Sequence, residues 1–215
     1  MGGLINIITK KSKAPISLDL SYIYDFPVEQ LASLNFSSNI SKFAYRFNVE
    51  YNNSPGYDLT DYSPFSQTLE ENIHYKVNNS LSYNGEHLLI DYINKYYVKK
   101  IKRYSNLLNN QTGGREKALS GKNPHYNDIV NSFNANYRFN NYFNIELQYL
   151  KEIYNKNIYF PYYNHEYPNN TDEGKTILSA SPSRNELSLS FNALIKEHSL
   201  LAGFQYAKET YQSLN

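Results

Sequence analysis

From Pro15 onward, apolar and polar positions alternate with a period of two. Ile16, Leu18, Leu20, Tyr22 and Tyr24 fall on one side of an extended chain and Ser17, Asp19, Ser21 and Asp25 on the other. The clearest stretch puts Phe43, Tyr45, Phe47, Val49 and Tyr51 opposite Ala44, Arg46, Asn48 and Glu50. Similar runs cover about 30–39, 68–83, 88–98, 129–139, 143–149, 187–195 and 200–206, which predicts about nine strands. Short polar reversals separate some of them: Asn39-Ile40-Ser41, Asn84-Gly85, Asn140-Asn141 and Lys196-Glu197-His198. Phe26 to Glu29 reads as a brief turn, whereas 52–67, 99–126 and 155–183 read as long loops. The basic run Lys99-Lys100-Ile101-Lys102-Arg103 falls at the start of one of these and reads as a solvated loop.

Many of the strands reach about 10 residues, the length that crosses a bilayer when tilted, and short turns alternate with long loops. Placing Arg46 and Glu50 in an apolar core would be costly, but lining a wet interior costs little. The pattern therefore predicts an all-β, antiparallel transmembrane barrel with tight turns at the periplasmic end and long loops outside. A soluble antiparallel fold, whose strands run to about 5–6 residues, fits less well.

Composition agrees with a one-sided apolar sheet. The 215 residues are 40% apolar and have a mean hydropathy of -0.65, yet 16% are aromatic, mostly Tyr (23) and Phe (11). Exposing only alternate residues to lipid produces that combination. The net charge of +1 provides no footprint for nucleic acid. The absence of cysteine excludes disulfides and thiolate metal sites. No run of 18 apolar residues marks a membrane helix, and no signal peptide is legible at the start.

The first dozen residues differ from the rest. Gly2-Gly3-Leu4-Ile5-Asn6-Ile7-Ile8-Thr9-Lys10 resembles the segment that closes the plug domain of TonB-dependent outer-membrane receptors, just before their barrel. His198-Ser-Leu-Leu-Ala-Gly-Phe-Gln-Tyr206 is similar to strands common in that family. The resemblance implies a 22-stranded barrel around a plug. It also implies import of a scarce, bulky nutrient, such as a ferric siderophore, haem or cobalamin, energised through the TonB complex. On this reading residues 1–12 are the carboxy-terminal remnant of a plug and 13–215 the amino-terminal part of a barrel. The chain would then be a piece of a longer receptor, not competent alone, with TonB engaging the missing plug region. The alternative is a small or passive outer-membrane barrel of porin or adhesion type.

Candidate site residues follow from these readings. Gly2, Gly3, Asn6 and Thr9 would seat the plug segment against the barrel wall; Gly2-Gly3 lacks a GxGxxG or P-loop pattern. Tyr159, Phe160, Tyr162, Tyr163 and His165, in an aromatic loop, are candidates for extracellular ligand contacts. Asp19, Arg46, Glu50 and Asp91 are candidates to face the lumen. The five histidines are scattered, without HExxH or a compact ligand set, so no metal or cofactor is expected. No Ser-His-Asp arrangement or carboxylate pair suggests an enzyme. The expected partners are the transported small molecule or metal chelate and outer-membrane lipid, with no nucleic acid.

Overall fold

A computed structural model describes residues 15–25, 29–57, 69–108, 115–119, 122–160 and 174–213. Among the described residues eleven strands follow one another: β1 (Ile16–Asp25), β2 (Glu29–Ile40), β3 (Phe43–Ser54), β4 (Glu71–Asn84), β5 (Leu88–Lys102), β6 (Tyr104–Leu108), β7 (Arg115–Leu119), β8 (Asn123–Asn140), β9 (Phe143–Phe160), β10 (Lys175–Ile195) and β11 (His198–Ser213). Nine of them form one antiparallel sheet in the order β1-β2-β3-β4-β5-β8-β9-β10-β11, and β6 and β7 make a separate hairpin. Among the described residues β1 pairs only with β2 and β11 only with β10, so the sheet has two free edges.

The expected strands are present, and several are longer than their alternation suggested. Lys99, Lys100, Ile101 and Lys102 belong to β5 rather than to a solvated loop. The expected loop at 99–126 contains the β6–β7 hairpin and the first residues of β8. The expected loop at 155–183 is shortened from both sides, since β9 runs to Phe160 and β10 begins at Lys175. Pro182 hides that extension in the sequence. It has no N–H to donate, and pairing with β9 lapses between Ala180 and Ser183, while a register shift follows between Ala180 and Leu178.

Four tight connections lie at one end of the sheet: 41–42, 85–87, 141–142 and 196–197. Ser41 and Lys196 take the left-handed conformation, with φ of 54° and 55°. The turns are bonded sideways to the next hairpin. Asn84 N–H donates to Lys42 O at 2.7 Å, Arg138 N–H to His87 O at 2.7 Å and Leu194 N–H to Tyr142 O at 2.7 Å. The longer connections lie at the other end, together with the three-residue link 26–28 between β1 and β2. There Gly56, at φ 74°, lets Tyr57 and Leu69 exchange two backbone hydrogen bonds of 3.1 and 2.9 Å; a Cβ would meet Leu69 O at 2.5 Å.

Register sorts the side chains into two unlike faces. One row of partners reads Leu20, Leu34, Val49, Val77, Tyr96, Ile129 and Ile153, and another Tyr83, Ile90, Ala135, Leu147, Leu189 and Phe204. Aromatic pairs mark both ends of this apolar face: Phe43–Tyr83 (5.1 Å) and Phe139–Phe143 (5.0 Å) near the turns, Tyr51–Tyr75 (5.1 Å) toward the long connections. The opposite face carries most of the Asn, Ser and charged side chains, with single apolar residues such as Leu31, Ile93, Leu150 and Leu201 among them. Neither face is covered: among the described residues no hydrophobic side chain is buried, and Leu18, Leu20, Leu200 and Phe204 are all more than half exposed. The accessible surface of 15400 Å² compares with about 10,300 Å² expected for a compact globule of 25.1 kDa. A sheet of this kind has no hydrophobic core of its own; whatever covers the apolar face supplies the driving force for burial.

Candidate functional site

The polar face carries the greatest concentration of chemistry. Asp19, Arg46, Glu50 and Asp91 all lie on it, because Asp19 pairs with Asn35, Asn35 with Asn48, Arg46 with Ser80 and Asp91 with Ser82. Asn48 sits in a side-chain ladder, donating to Asn35 Oδ1 at 2.6 Å while Asn78 donates to Asn48 Oδ1 at 2.8 Å. Directly opposed residues on neighbouring strands are close enough for such cross-strand bonds, and asparagine both donates and accepts, so the ladder continues from strand to strand. Ser82 Oγ donates to Asp91 at 2.5 Å.

Glu50 anchors a second group, with His74 Nε2 at 3.4 Å and Lys76 Nζ at 4.0 Å. The His74 ring lies 5.9 Å from that of Tyr97. In the same row Tyr97 faces Asp128 and Asp128 faces Tyr154. The Oδ1 atom of Asp128 is buried without a hydrogen-bond partner among the described residues. At the edge, Arg184 joins Glu186 at 2.5 Å and Glu209 at 3.6 Å. The face as a whole is a hydrogen-bonding wall that carries both charges. It can line an aqueous space and grip a polar molecule at several points.

A second feature lies at the long-connection end. Glu71 receives Lys102 Nζ at 2.6 Å and Tyr104 Oη at 2.7 Å, and Arg103 pairs with Glu70 at 2.7 Å. The N–H of Arg103 donates to Asn123 Oδ1 at 2.7 Å, fixing where the β6–β7 hairpin leaves the sheet. Beside this root is a recess of about 430 Å³ lined by Glu71, Lys100, Lys102, Asn123, His125 and Tyr159. His125 stacks on Tyr159, with ring centroids 5.5 Å apart and planes 11° apart.

The expected aromatic loop is therefore divided. Tyr159 and Phe160 are the last residues of β9, with Tyr159 on the recess. Tyr162, Tyr163 and His165 lie outside the described residues, as do Gly2, Gly3, Asn6 and Thr9. Sequence reasoning missed His125, Glu71 and Lys102. The alternation of Lys100 and Lys102 about Ile101 was the available signal, continuing the period of the preceding strand. No group of three or more His, Asp or Glu side chains among the described residues is placed to hold a metal ion.

No protein-family model, curated protein or solved structure matches this chain. The functional reading therefore stands on the residues and on the two faces of the sheet.

Proposed function

We propose that the sheet is wall of a transmembrane β-barrel in the outer membrane, and that the chain is part of a TonB-dependent receptor. Such a receptor imports a scarce, bulky nutrient such as a ferric siderophore, haem or cobalamin. The observation that carries the barrel reading is the separation of apolar and polar faces over nine long strands, with aromatic pairs at both ends of the apolar face. Lipid against the apolar face would supply the burial that the chain lacks, and water against the other would solvate Asp19, Arg46, Glu50 and Asp91. Lipid does not tolerate unpaired strand edges, so β1 and β11 would pair with each other or with further strands. The receptor reading is carried by the string Gly2-Gly3-Leu4-Ile5-Asn6-Ile7-Ile8-Thr9-Lys10 ahead of the first strand. In it the TonB complex acts through the plug, and the polar face borders the substrate path.

The chain has no cysteine, so single cysteines report cleanly. In whole cells, a membrane-impermeant maleimide that enters water-filled barrels should label Lys76→Cys and spare Tyr75→Cys, its neighbour on the other face. Equal labelling would sink the barrel. For the receptor, disrupting the gene should abolish accumulation of one of the three nutrient classes, and inactivating TonB should do the same. Uptake that persists without TonB would assign the barrel to the passive class instead.

A further inference from the structure

Charge is distributed unequally between the two faces. In the nine-stranded sheet every carboxylate except Glu71 lies on the polar face, including Asp128, Glu146, Glu152, Glu186 and Glu209. Four lysines lie on the apolar face: Lys100, Lys102, Lys151 and Lys208. Lys102 is paired with Glu71, whereas the other three make no ion pair among the described residues.

Two of these three belong to one row. Asn131, Lys151, Asn185 and Lys208 are direct partners across β8, β9, β10 and β11. Two strand spacings separate the lysines, about 10 Å. The neighbouring row toward the turns is Phe133, Tyr149, Leu187 and Tyr206, and the row beyond is Ile129, Ile153, Ser183 and Thr210, so the apolar band ends at the lysine row on β10 and β11 and one row later on β8 and β9. Both are exposed. Asn131 Oδ1 accepts from Tyr92 Oη at 3.0 Å and from Asn94 Nδ2 at 2.9 Å. With its oxygen so engaged, Asn131 has its amide N–H groups left to offer. The row thus combines two cations and amide donors, with no carboxylate on its face of β8 to β11.

We propose that Lys151 and Lys208, with Asn131 and Asn185, form a seat for the phosphate of an anionic lipid headgroup at the edge of the bilayer. The inference rests on the barrel reading and deepens it by naming a lipid that the wall selects. Lysines at the end of an apolar band reach toward headgroups, and cations there attract anionic lipid. Two lysines on strands about 10 Å apart, with an asparagine on the strand between them, suit a phosphorylated glycolipid better than a zwitterionic one, whose own cation would be repelled.

The test uses the protein purified from outer membranes in mild detergent and reconstituted in phosphatidylcholine vesicles containing increasing amounts of a bis-phosphorylated glycolipid. Retained glycolipid is quantified by mass spectrometry. Each of Lys151→Gln and Lys208→Gln should weaken retention about fivefold and the double variant about thirtyfold. Lys95→Gln/Lys99→Gln, which removes the same charge from the polar face, should retain as much as wild type. A double variant that embeds in the membrane and keeps wild-type retention overturns the proposal and leaves the barrel intact. Displacement by an equal concentration of inorganic phosphate also overturns it, since the seat would then take a free anion. Wild-type protein that fails to embed removes the barrel reading and this inference with it.

Discussion

Replacing Phe191 with arginine separates lipid from water as the medium on the apolar face. Phe191 is the middle of five residues on that face of β10: Leu187, Leu189, Phe191, Ala193 and Ile195. Eight residue steps of about 3.4 Å span about 27 Å along the strand. Tilted by about 40°, that is about 21 Å of height, close to the roughly 25 Å apolar band of such barrels. Phe191 lies between Ile145 and Ala202 on the adjacent strands and, in the proposed barrel, would fall near the bilayer midplane. Arginine there should cost about 2–4 kcal/mol, a shift of about 30- to 900-fold in the folding equilibrium. Asn192→Arg puts the same charge one residue away on the polar face, between Asn144 and Leu201, and should change stability by about 0.5 kcal/mol or less. Guanidinium titration in phospholipid vesicles measures both. Because the chain has no tryptophan, far-UV circular dichroism and gel mobility of unheated samples serve as probes. Equal midpoints for the two variants, or a gain of soluble folded protein with Phe191→Arg, would refute lipid as the covering medium.

Three further outcomes follow from local geometry. Asn48→Ala removes both bonds of the polar-face ladder and should cost about 1–2 kcal/mol, with a double-mutant cycle against Asn35→Ala returning a coupling of about 0.5–1 kcal/mol. Glu71→Gln weakens the root of the β6–β7 hairpin; Lys102 is half exposed, so the loss should be near 1 kcal/mol, read as faster protease cleavage within 103–122 with the remaining sheet intact. Gly56→Ala forces a Cβ into the left-handed conformation against Leu69 O and should cost at least about 1–2 kcal/mol locally. Hydrogen exchange at the Tyr57 and Leu69 amides should then accelerate about 5- to 30-fold, with no change at the short turns.

Strands such as Ile16–Asp25 and Phe43–Ser54 were legible because their side chains alternate and nothing local competes. Once the period was known, so was the shared face of Asp19, Arg46, Glu50 and Asp91, since parity within a strand and one register suffice. The hairpin of Tyr104–Leu108 with Arg115–Leu119 was not legible: neither five-residue stretch alternates, and its root depends on Glu70, Glu71 and Asn123 from other strands. The start of β8 was hidden by Asn123-Pro124, which reads as a turn, although both residues are almost fully buried. The His125–Tyr159 stack joins positions far apart in sequence and could be found only from the pairing of β8 with β9. Clustering on a face is written in the period, whereas contact between strands is written in the register. Only the first can be read without coordinates.

The insertion between β5 and β8 also bears on the order in which the sheet can assemble. Every other pair in the nine-stranded sheet joins strands consecutive in sequence, so each can zip onto the last with only its own connection to close. β5 and β8 must instead meet across residues 103–122. If β6 and β7 pair first, most of that stretch is tied off, and the gap shrinks from about 20 flexible residues to about five. Two halvings of the loop lower the entropy of closure by about 1.2 kcal/mol. The small hairpin thus acts as a splice in the folding route, letting a nine-strand zipper pass its longest interruption at a closure cost below that of the connections 55–70 and 161–174.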